Sequence, residues 1–584
     1  MTAPNRNTLW ARAIVDELVK SGIEAVCIAP GSRSTPLTVA FADRDDVTIF
    51  SHLDERSAAF FALGRAKRTG TPTPVLTTSG TATANLHPAV MEADNARVPL
   101  LVLTADRPPE LRDTGANQTA DQEKLYGTAV RFYHDLPEPE ADDRKLRSLR
   151  TRICRAVAAT TGSNPGPAHL NVPFRKPLEP VEVPGDVPDG FGDEYPEAAL
   201  GRDGPFVAVH EGTGTPDPAD VDRIASVVEA ASTGLIVAGP DDAFGLSQDA
   251  AAALSSATGF PIIADPLSNL RWGPHNDDVP VLGGYDAYLD ADLDVSDPAV
   301  VLRFGASPTS KVLRHFLRDT ADRQFVVDPA GDAGGWREAA FTATHLVVAD
   351  PDTLATHLAE SLPVSDEPTT SPLQAVEDNY WSLVADEPRP FEGRILSTVV
   401  RDAPDPATVF VSNSMPVRDL DRFGEPSTRD LTVLGNRGVS GIDGVTSTAL
   451  GAGSATDDPL VLVTGDIAYY HDMNGLLALD RCDVDATIVL VNNDGGGIFH
   501  MLPIEDHDPP FTSQFKTPHG LDFEPTSDLY GFDYARVDPP EFPDAYREAL
   551  DRDGTNLVEV TIDAAESHRV REDLHERVCE HLGR

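Results

Sequence analysis

The chain has 584 residues, 40% of them hydrophobic and spread along its length, which is too long for one core and too apolar for bulk disorder. Its 94 acidic residues against 47 basic ones give a formal charge of −47, which repels nucleic acid and anionic lipid and excludes phosphate-backbone binding as a function. Charge of that density strains a compact state in dilute buffer and is screened in molar salt, where the Debye length falls to about 3 Å, so a halophile's cytoplasm is the expected setting.

In chain order, MTAPNRNTLWARAIVDELVKSG predicts an amphipathic helix without the apolar core of a signal peptide. No apolar run reaches the roughly 20 residues that span a bilayer, so a soluble, cytoplasmic protein with no membrane insertion is expected. IEAVCIAP, VTIFSH, PVLTT and PLLVLTAD then read as strands, each followed by a stretch of helical period. A Pro-, Gly- and acid-rich segment from Pro177 to Pro205 reads as a linker. TGLIVAGP, FPIIADP, AVVLRFG, RQFVVDP and THLVVAD resume the alternation, LPVSDEPTTSP reads as a second linker, and TVFVSN, LTVLGN, PLVLVTGD, ATIVLVNND and NLVEVTI follow. Strands alternating with helices imply parallel βαβ units, so the predicted fold class is α/β: three consecutive doubly wound parallel-sheet domains over residues 1–180, 205–362 and 375–584. Cys27, Cys154, Cys482 and Cys579 have no paired metal-ligand spacing and are expected to be buried structural residues.

The most informative segment is LVLVTGDIAYYHDMNGLLALDRCDVDATIVLVNNDGGGIFHMLP. One buried strand ends in Gly465-Asp466 and the next in Asn492-Asn493, and Asp466 and Asn493 are 27 residues apart, the length of one strand-helix-strand crossover. Adjacent parallel strands would carry both to one carboxyl edge. A carboxylate oxygen, an amide oxygen and a backbone carbonyl are hard ligands suited to Mg²⁺, and Gly465 lets backbone approach a diphosphate. From the residues alone, two ordinary βα turns stand as the alternative.

This segment resembles the diphosphate- and metal-binding motif of thiamine-diphosphate enzymes. The resemblance implies that Asp466, Asn493 and the Gly495 carbonyl hold Mg²⁺ (or Mn²⁺), with Gly465 at the diphosphate. Ile467 replaces a glycine and Ala468 a hydroxyl found in many members. Thiamine chemistry needs a carboxylate facing the pyrimidine ring, and Glu55, after VTIFSH and at the opening of the helix DERSAAFFALGRA, is the catalytic candidate. APGSRSTPL, HLDERSAAFFALG, TTSGTATANLHPAVMEA, LTADRPPELRDTGANQT, FGASPTSKVLRHF, SNSMPVRD and GNRGVSGIDG are similar, in the same order, to one branch: the 2-succinyl-5-enolpyruvyl-6-hydroxy-3-cyclohexene-1-carboxylate synthase family of menaquinone biosynthesis, a transferase family.

That resemblance implies decarboxylation of 2-oxoglutarate and addition of its succinyl remainder to isochorismate. It places Ser414, Arg437 and Ile442 at the cofactor, with Ile442 as an apolar wedge. It places Ser32, Arg33, Arg107, Asn117, Gln118, Lys311, Ser414 and Arg418 at the substrates, with Ile498, Phe499 and Leu502 as an apolar wall. Both substrates are dianions, and arginine's planar fork suits bidentate carboxylate binding. Val312 stands where some relatives have arginine. His52 and Gln118 are further candidates for proton transfer. The family's cofactor lies between the first domain of one subunit and the third of another, which implies a homodimer or homotetramer. A different thiamine carboligase, such as an acetohydroxyacid synthase, would share Glu55 and the metal motif but not Arg33, Arg107 and Arg418. A non-catalytic scaffold would lack Glu55 or Asp466.

Overall fold

Runs such as LLVLTAD, VVLRF and LVLVTG are apolar on both faces, the pattern of strands covered by helices on either side. The computed structural model describes residues 3–241, 245–363 and 371–583, and its strands form three six-stranded sheets with every pairing parallel. The first sheet holds β1 Ala25–Ile28, β2 Thr48–Ser51, β3 Thr73–Thr77, β4 Leu100–Asp106, β5 Phe132–Asp135 and β6 Pro167–Pro173, in the order β2-β1-β3-β4-β6-β5. The middle sheet holds β7 Gly234–Ala238, β8 Ile262–Ala264, β9 Val281–Leu282, β10 Val300–Phe304, β11 Arg323–Val327 and β12 His345–Val347, in the order β12-β11-β10-β7-β8-β9. The last holds β13 Ala407–Val411, β14 Leu431–Leu434, β15 Leu460–Gly465, β16 Thr487–Asn492, β17 Asp533–Val537 and β18 Asn556–Thr561. Its order, β14-β13-β15-β16-β18-β17, repeats that of the first sheet.

Every strand predicted from an apolar run is present. Four were not legible, each for a physical reason. β5 (FYHD) and β17 (DYARV) are half-exposed edge strands, β9 has two residues, and β6 (PAHLNVP) is fully buried yet begins and ends in proline and carries His169 and Asn171. The segment expected to be a free linker from Pro177 instead packs down: Leu178, Phe191 and Ala198 join the first sheet's core, and the Phe206 N–H donates to the buried Glu17 carboxylate. Of the second expected linker, residues 364–370 lie outside the described residues. Among the described residues no helix is long and apolar enough to cross a membrane.

The chain divides into two units. One comprises Met1–Gly212, Asn436–Asp457 and Asp472–Val484; the other comprises Thr213–Gly435, Asp458–His471 and Asp485–Arg584. In the first unit the helix Val445–Gly453 lies directly on the helix Glu55–Thr69. Glycine allows this approach. A Cβ on Gly64 would fall well inside contact distance of the Thr448 carbonyl, and one on Gly451 would do the same to the Phe61 carbonyl. The obstacles are backbone, so neither can rotate away. Gly451→Ala is expected to lower the unfolding free energy by roughly 2 kcal/mol through overpacking. A denaturant titration in molar salt checks this, and an unchanged midpoint would contradict it.

In the second unit, Arg271 ties the middle and last sheets together. Its buried guanidinium donates to the Ala264 carbonyl at 2.8 Å, the Asp421 carbonyl at 2.6 Å and Asp421 Oδ1 at 3.0 Å. Cys27, Cys154 and Cys482 are buried and Cys579 half-buried, all as free thiols. Burial raises each thiol above its ordinary range, Cys482 to about 11, which leaves them unreactive.

Candidate active site

Parallel strands deliver their carboxyl ends to one edge, where open α/β sheets bind ligands. In the second unit β13, β15 and β16 are neighbours, and Ser414, Asp466 and Asn493 follow their ends. The Gly465 N–H donates to Ser412 Oγ at 3.4 Å and so links two of these strand ends. Asp466 opens the helix Asp466–Asp472. Its Oδ2 accepts the Gly495 N–H at 2.9 Å and lies 3.1 Å from His519 Nε2, while Oδ1 accepts the Ile467 N–H at 2.7 Å. Burial pushes this carboxyl above the usual carboxylate range, against the pull of the Gly495 N–H and His519.

Asn493 donates from Nδ2 to Glu392 Oε1 at 2.7 Å, and its Oδ1 is buried with no hydrogen-bond partner. A bare buried acceptor costs about 1–3 kcal/mol, so this lone pair marks a place for a ligand. A Cβ on Gly465 would meet nothing within 4 Å, so the backbone there faces open space. The Gly495 carbonyl accepts the Gly497 N–H at 3.0 Å and has a second lone pair left. Among the described residues no group of three His, Cys, Asp or Glu could hold a metal. The donors at this edge are instead a carboxylate, an amide oxygen and a carbonyl. They fit a hard divalent cation whose shell is completed by an anionic ligand such as a diphosphate.

Around this edge Ser414 has φ +72° and ψ −126°, a strained conformation of the kind that clusters at functional sites and costs about 1–3 kcal/mol. The Arg418 guanidinium donates to its carbonyl at 2.6 Å, so Ser414 and Arg418 are brought together. Ile498 and Phe499, on the tight turn Gly497–Met501, are half-buried, and Phe499 packs edge-on against Phe515 with ring centres 5.4 Å apart. Leu502 is exposed. Lys311 stands exposed at the start of the helix Lys311–Thr320, following β10 of the middle sheet, while Val312 packs onto an apolar cluster. No hydrogen bond among the described residues draws Lys311 to Asp466 or Ser414.

In the first unit β2, β1, β3 and β4 are consecutive neighbours, and Glu55, Ser32-Arg33, Ser79 and Arg107 follow their carboxyl ends. Glu55 is the first residue of the helix Glu55–Thr69 and is half-buried. The preceding Asp54 caps that helix by accepting the Arg56 N–H at 2.8 Å and the Ser57 N–H at 3.4 Å. Arg33 is buried; its Nη1 donates to the Phe174 carbonyl at 2.6 Å, and its Nε has no partner. Arg107 is half-buried and its Nε is likewise buried without a partner. Two guanidinium groups at one sheet edge therefore keep unused N–H donors, which suits an anionic ligand. Gln118 is fixed to Ser79 by reciprocal bonds, Nε2 to the Ser79 carbonyl and Ser79 Oγ to its own carbonyl, each 3.0 Å. Ser32 and Asn117 are exposed. His52 is pushed down to about 4 by burial and packs on Phe61, so it stands as a neutral imidazole at pH 7.

Arg437 and Ile442 lie half-buried on the loop after β14. Glu92, from the helix His87–Ala96, holds that loop by accepting the Gly438 and Val439 N–H groups, each at 2.7 Å. Sequence reasoning missed Glu92, Glu392 and His519. Glu392 is 101 residues from Asn493 and Glu92 is 346 from Gly438, so no local spacing could have signalled either.

Family models match both ends of the chain. Residues 10–125 match the family model described as thiamine pyrophosphate enzyme, N-terminal TPP binding domain, and residues 423–560 match the C-terminal TPP binding domain. These support thiamine diphosphate as the cofactor. The chain is 65% identical over 584 residues to the 2-succinyl-5-enolpyruvyl-6-hydroxy-3-cyclohexene-1-carboxylate synthase of Halobacterium salinarum, covering 99% of each chain. It is 62% identical to the synthase of that name from Haloarcula marismortui, covering 100% of each, and 46% identical to that of Roseiflexus castenholzii, covering 96% of this chain and 97% of the other. A crystal structure of benzoylformate decarboxylase from Polynucleobacter necessarius matches the fold with a TM-score of 0.69 at 18% identity, over 95% of this chain and 98% of that one. With matched domains at both ends and relatives this similar from end to end, the chain belongs to the 2-succinyl-5-enolpyruvyl-6-hydroxy-3-cyclohexene-1-carboxylate synthase family of thiamine pyrophosphate enzymes.

Proposed function

We propose that the chain catalyses the reaction for which its relatives are named, decarboxylating 2-oxoglutarate and adding the succinyl remainder to isochorismate in menaquinone biosynthesis. When bound, thiamine diphosphate supplies a nucleophilic carbon that takes up the 2-oxo group and holds the electron pair released with carbon dioxide. Asp466, Asn493 and the Gly495 carbonyl hold Mg²⁺, or Mn²⁺ in its place, and Gly465 lets backbone approach the diphosphate. Glu55 exchanges a proton with the aminopyrimidine, Ile442 presses on the cofactor from its apolar side, and Ser414 and Arg437 complete its contacts. Arg33 and Arg107 offer their unused N–H groups to substrate carboxylates. Arg418 and Lys311 add positive charge, Ser32, Asn117 and Gln118 supply neutral contacts, and Ile498, Phe499 and Leu502 exclude water from the reacting carbon.

The assembly we propose is at least a homodimer, in which Glu55 of one copy and the Asp466–Asn493 pair of another serve the same cofactor; a dimer of dimers follows the same rule. Domains over 1–180, 205–362 and 375–584 carry these roles. The observation that carries the reading is the strand-end pair: a buried Asp466 beside an Asn493 whose oxygen lacks a partner, bordered by the open face of Gly465. The test is carbon dioxide release from 2-oxoglutarate in molar KCl with isochorismate, thiamine diphosphate and Mg²⁺. Release that depends on isochorismate and yields the succinylated product supports the reading. Turnover of pyruvate in its place would identify a different thiamine carboligase.

A further inference from the structure

We propose that Glu392 is a positioning residue of the divalent-cation site: it fixes the Asn493 amide so that Oδ1, and not Nδ2, faces the ion. The proposal rests on the reading of Asn493 as a cation ligand given above. The two ends of an asparagine amide are nearly the same size, but only the oxygen has a lone pair for a cation, so a site that uses asparagine must choose between two orientations of one side chain. Here the choice is built in. Nδ2 donates to Glu392 Oε1 at 2.7 Å, and the opposite end of the amide, Oδ1, is buried and bare. Turning the amide over would break the bond from Nδ2 to Oε1, set Oδ1 against the carboxyl group in its place and leave the N–H donors pointing where the cation belongs.

Glu392 is itself held still. It is the first residue of the helix Glu392–Asp402, is 4% exposed, and donates its backbone N–H to Ser567 Oγ at 3.0 Å. Burial and the nearby Asp419 push its carboxyl up to about 8, and in either protonation state an oxygen lone pair remains for the Asn493 N–H. Gly497 leaves room for that end of the amide, since a Cβ there would collide with Nδ2. Ligand-orienting partners of this kind commonly change metal affinity by about 10- to 100-fold when removed.

The test is Mn²⁺ affinity, read from the electron paramagnetic resonance of free Mn²⁺ in molar KCl with thiamine diphosphate present. Wild type is compared with Glu392→Ala, Glu392→Gln and Asn493→Ala, and the fold of each is verified by circular dichroism. Glu392→Ala is expected to weaken Mn²⁺ binding about 10- to 100-fold. Glu392→Gln, whose amide oxygen still accepts the Asn493 N–H, is expected to bind within about threefold of wild type. If the alanine variant does not fold, Glu392→Met, which fills similar space without an oxygen acceptor, takes its place with the same expectation. Wild-type affinity in the folded Ala or Met variant, alongside lost affinity in Asn493→Ala, would overturn the proposal and leave the functional reading standing. A glutamine variant as weak as the alanine variant would overturn it as well. Equal affinity in wild type and Asn493→Ala would instead remove Asn493 from the cation site and the functional reading with it.

Discussion

Replacing Glu55 with glutamine is expected to reduce turnover by roughly 10²- to 10⁴-fold, the range spanned by positioned proton-transfer groups, while cofactor affinity stays within a few-fold of wild type. The two effects separate because different residues cause them. Glutamine keeps the size of glutamate but cannot give up and regain a proton at neutral pH. In the proposed reading, Asp466, Asn493 and Gly465 are the anchors of the diphosphate and its cation, and the substitution does not touch them. Nor does it unmake the helix that presents the side chain, since the capping bonds to the Arg56 and Ser57 N–H groups come from Asp54. Product formation and thiamine diphosphate binding, measured on the same preparation, decide the matter. Unchanged turnover would take Glu55 out of the mechanism, and lost binding would make it an anchor instead.

Removing salt is expected to unfold the protein. A formal charge of −47 is the sum of many carboxylates facing water, and their repulsion is screened over about 3 Å at 1 M salt but over about 30 Å at 0.01 M. Ion pairs offset part of this repulsion. Arg112 bonds Asp106 and Asp135 at 3.1 Å each, and Arg175 bonds Glu138 at 2.8 Å, but acidic residues outnumber basic ones two to one, so one-to-one pairing leaves at least half of them unpaired. Dialysis from molar KCl to about 10 mM should abolish activity and the far-ultraviolet helical signal together, with recovery when salt is restored within minutes. Full activity and an intact spectrum in dilute buffer would show that the acidity serves some end other than screening.

Much of the architecture was legible because its signal is local. A strand buried on both faces must be a short apolar run, and each such run became a strand of one of three parallel sheets. Two of the edge strands escaped notice because water on one side relaxes the constraint that makes the pattern: β5 and β17 carry His134, Asp135, Asp533 and Arg536. The segment after Pro177 misled for the opposite reason. Its Pro- and Gly-rich composition describes how the chain turns, while Phe191 and Ala198, only a few apolar residues, decide that it packs.

The active edge divides in the same way. Asp466 and Asn493 were singled out because each follows a buried strand directly and a parallel sheet sends such positions to one edge, while Glu55 follows the half-exposed β2 of another sheet. The bare oxygen of Asn493, the unused Nε groups of Arg33 and Arg107, and the neutrality of His52 depend on what lies across the fold from them. So do the carboxylates that hold these parts in place, Glu392 beneath Asn493 and Glu92 beneath the loop of Arg437 and Ile442. Periodicity and motif order thus sufficed for the fold class and the catalytic candidates, since both arise from neighbours along the chain. Orientation, burial and protonation arise from contacts between residues tens to hundreds of positions apart, and only the folded chain brings those partners together.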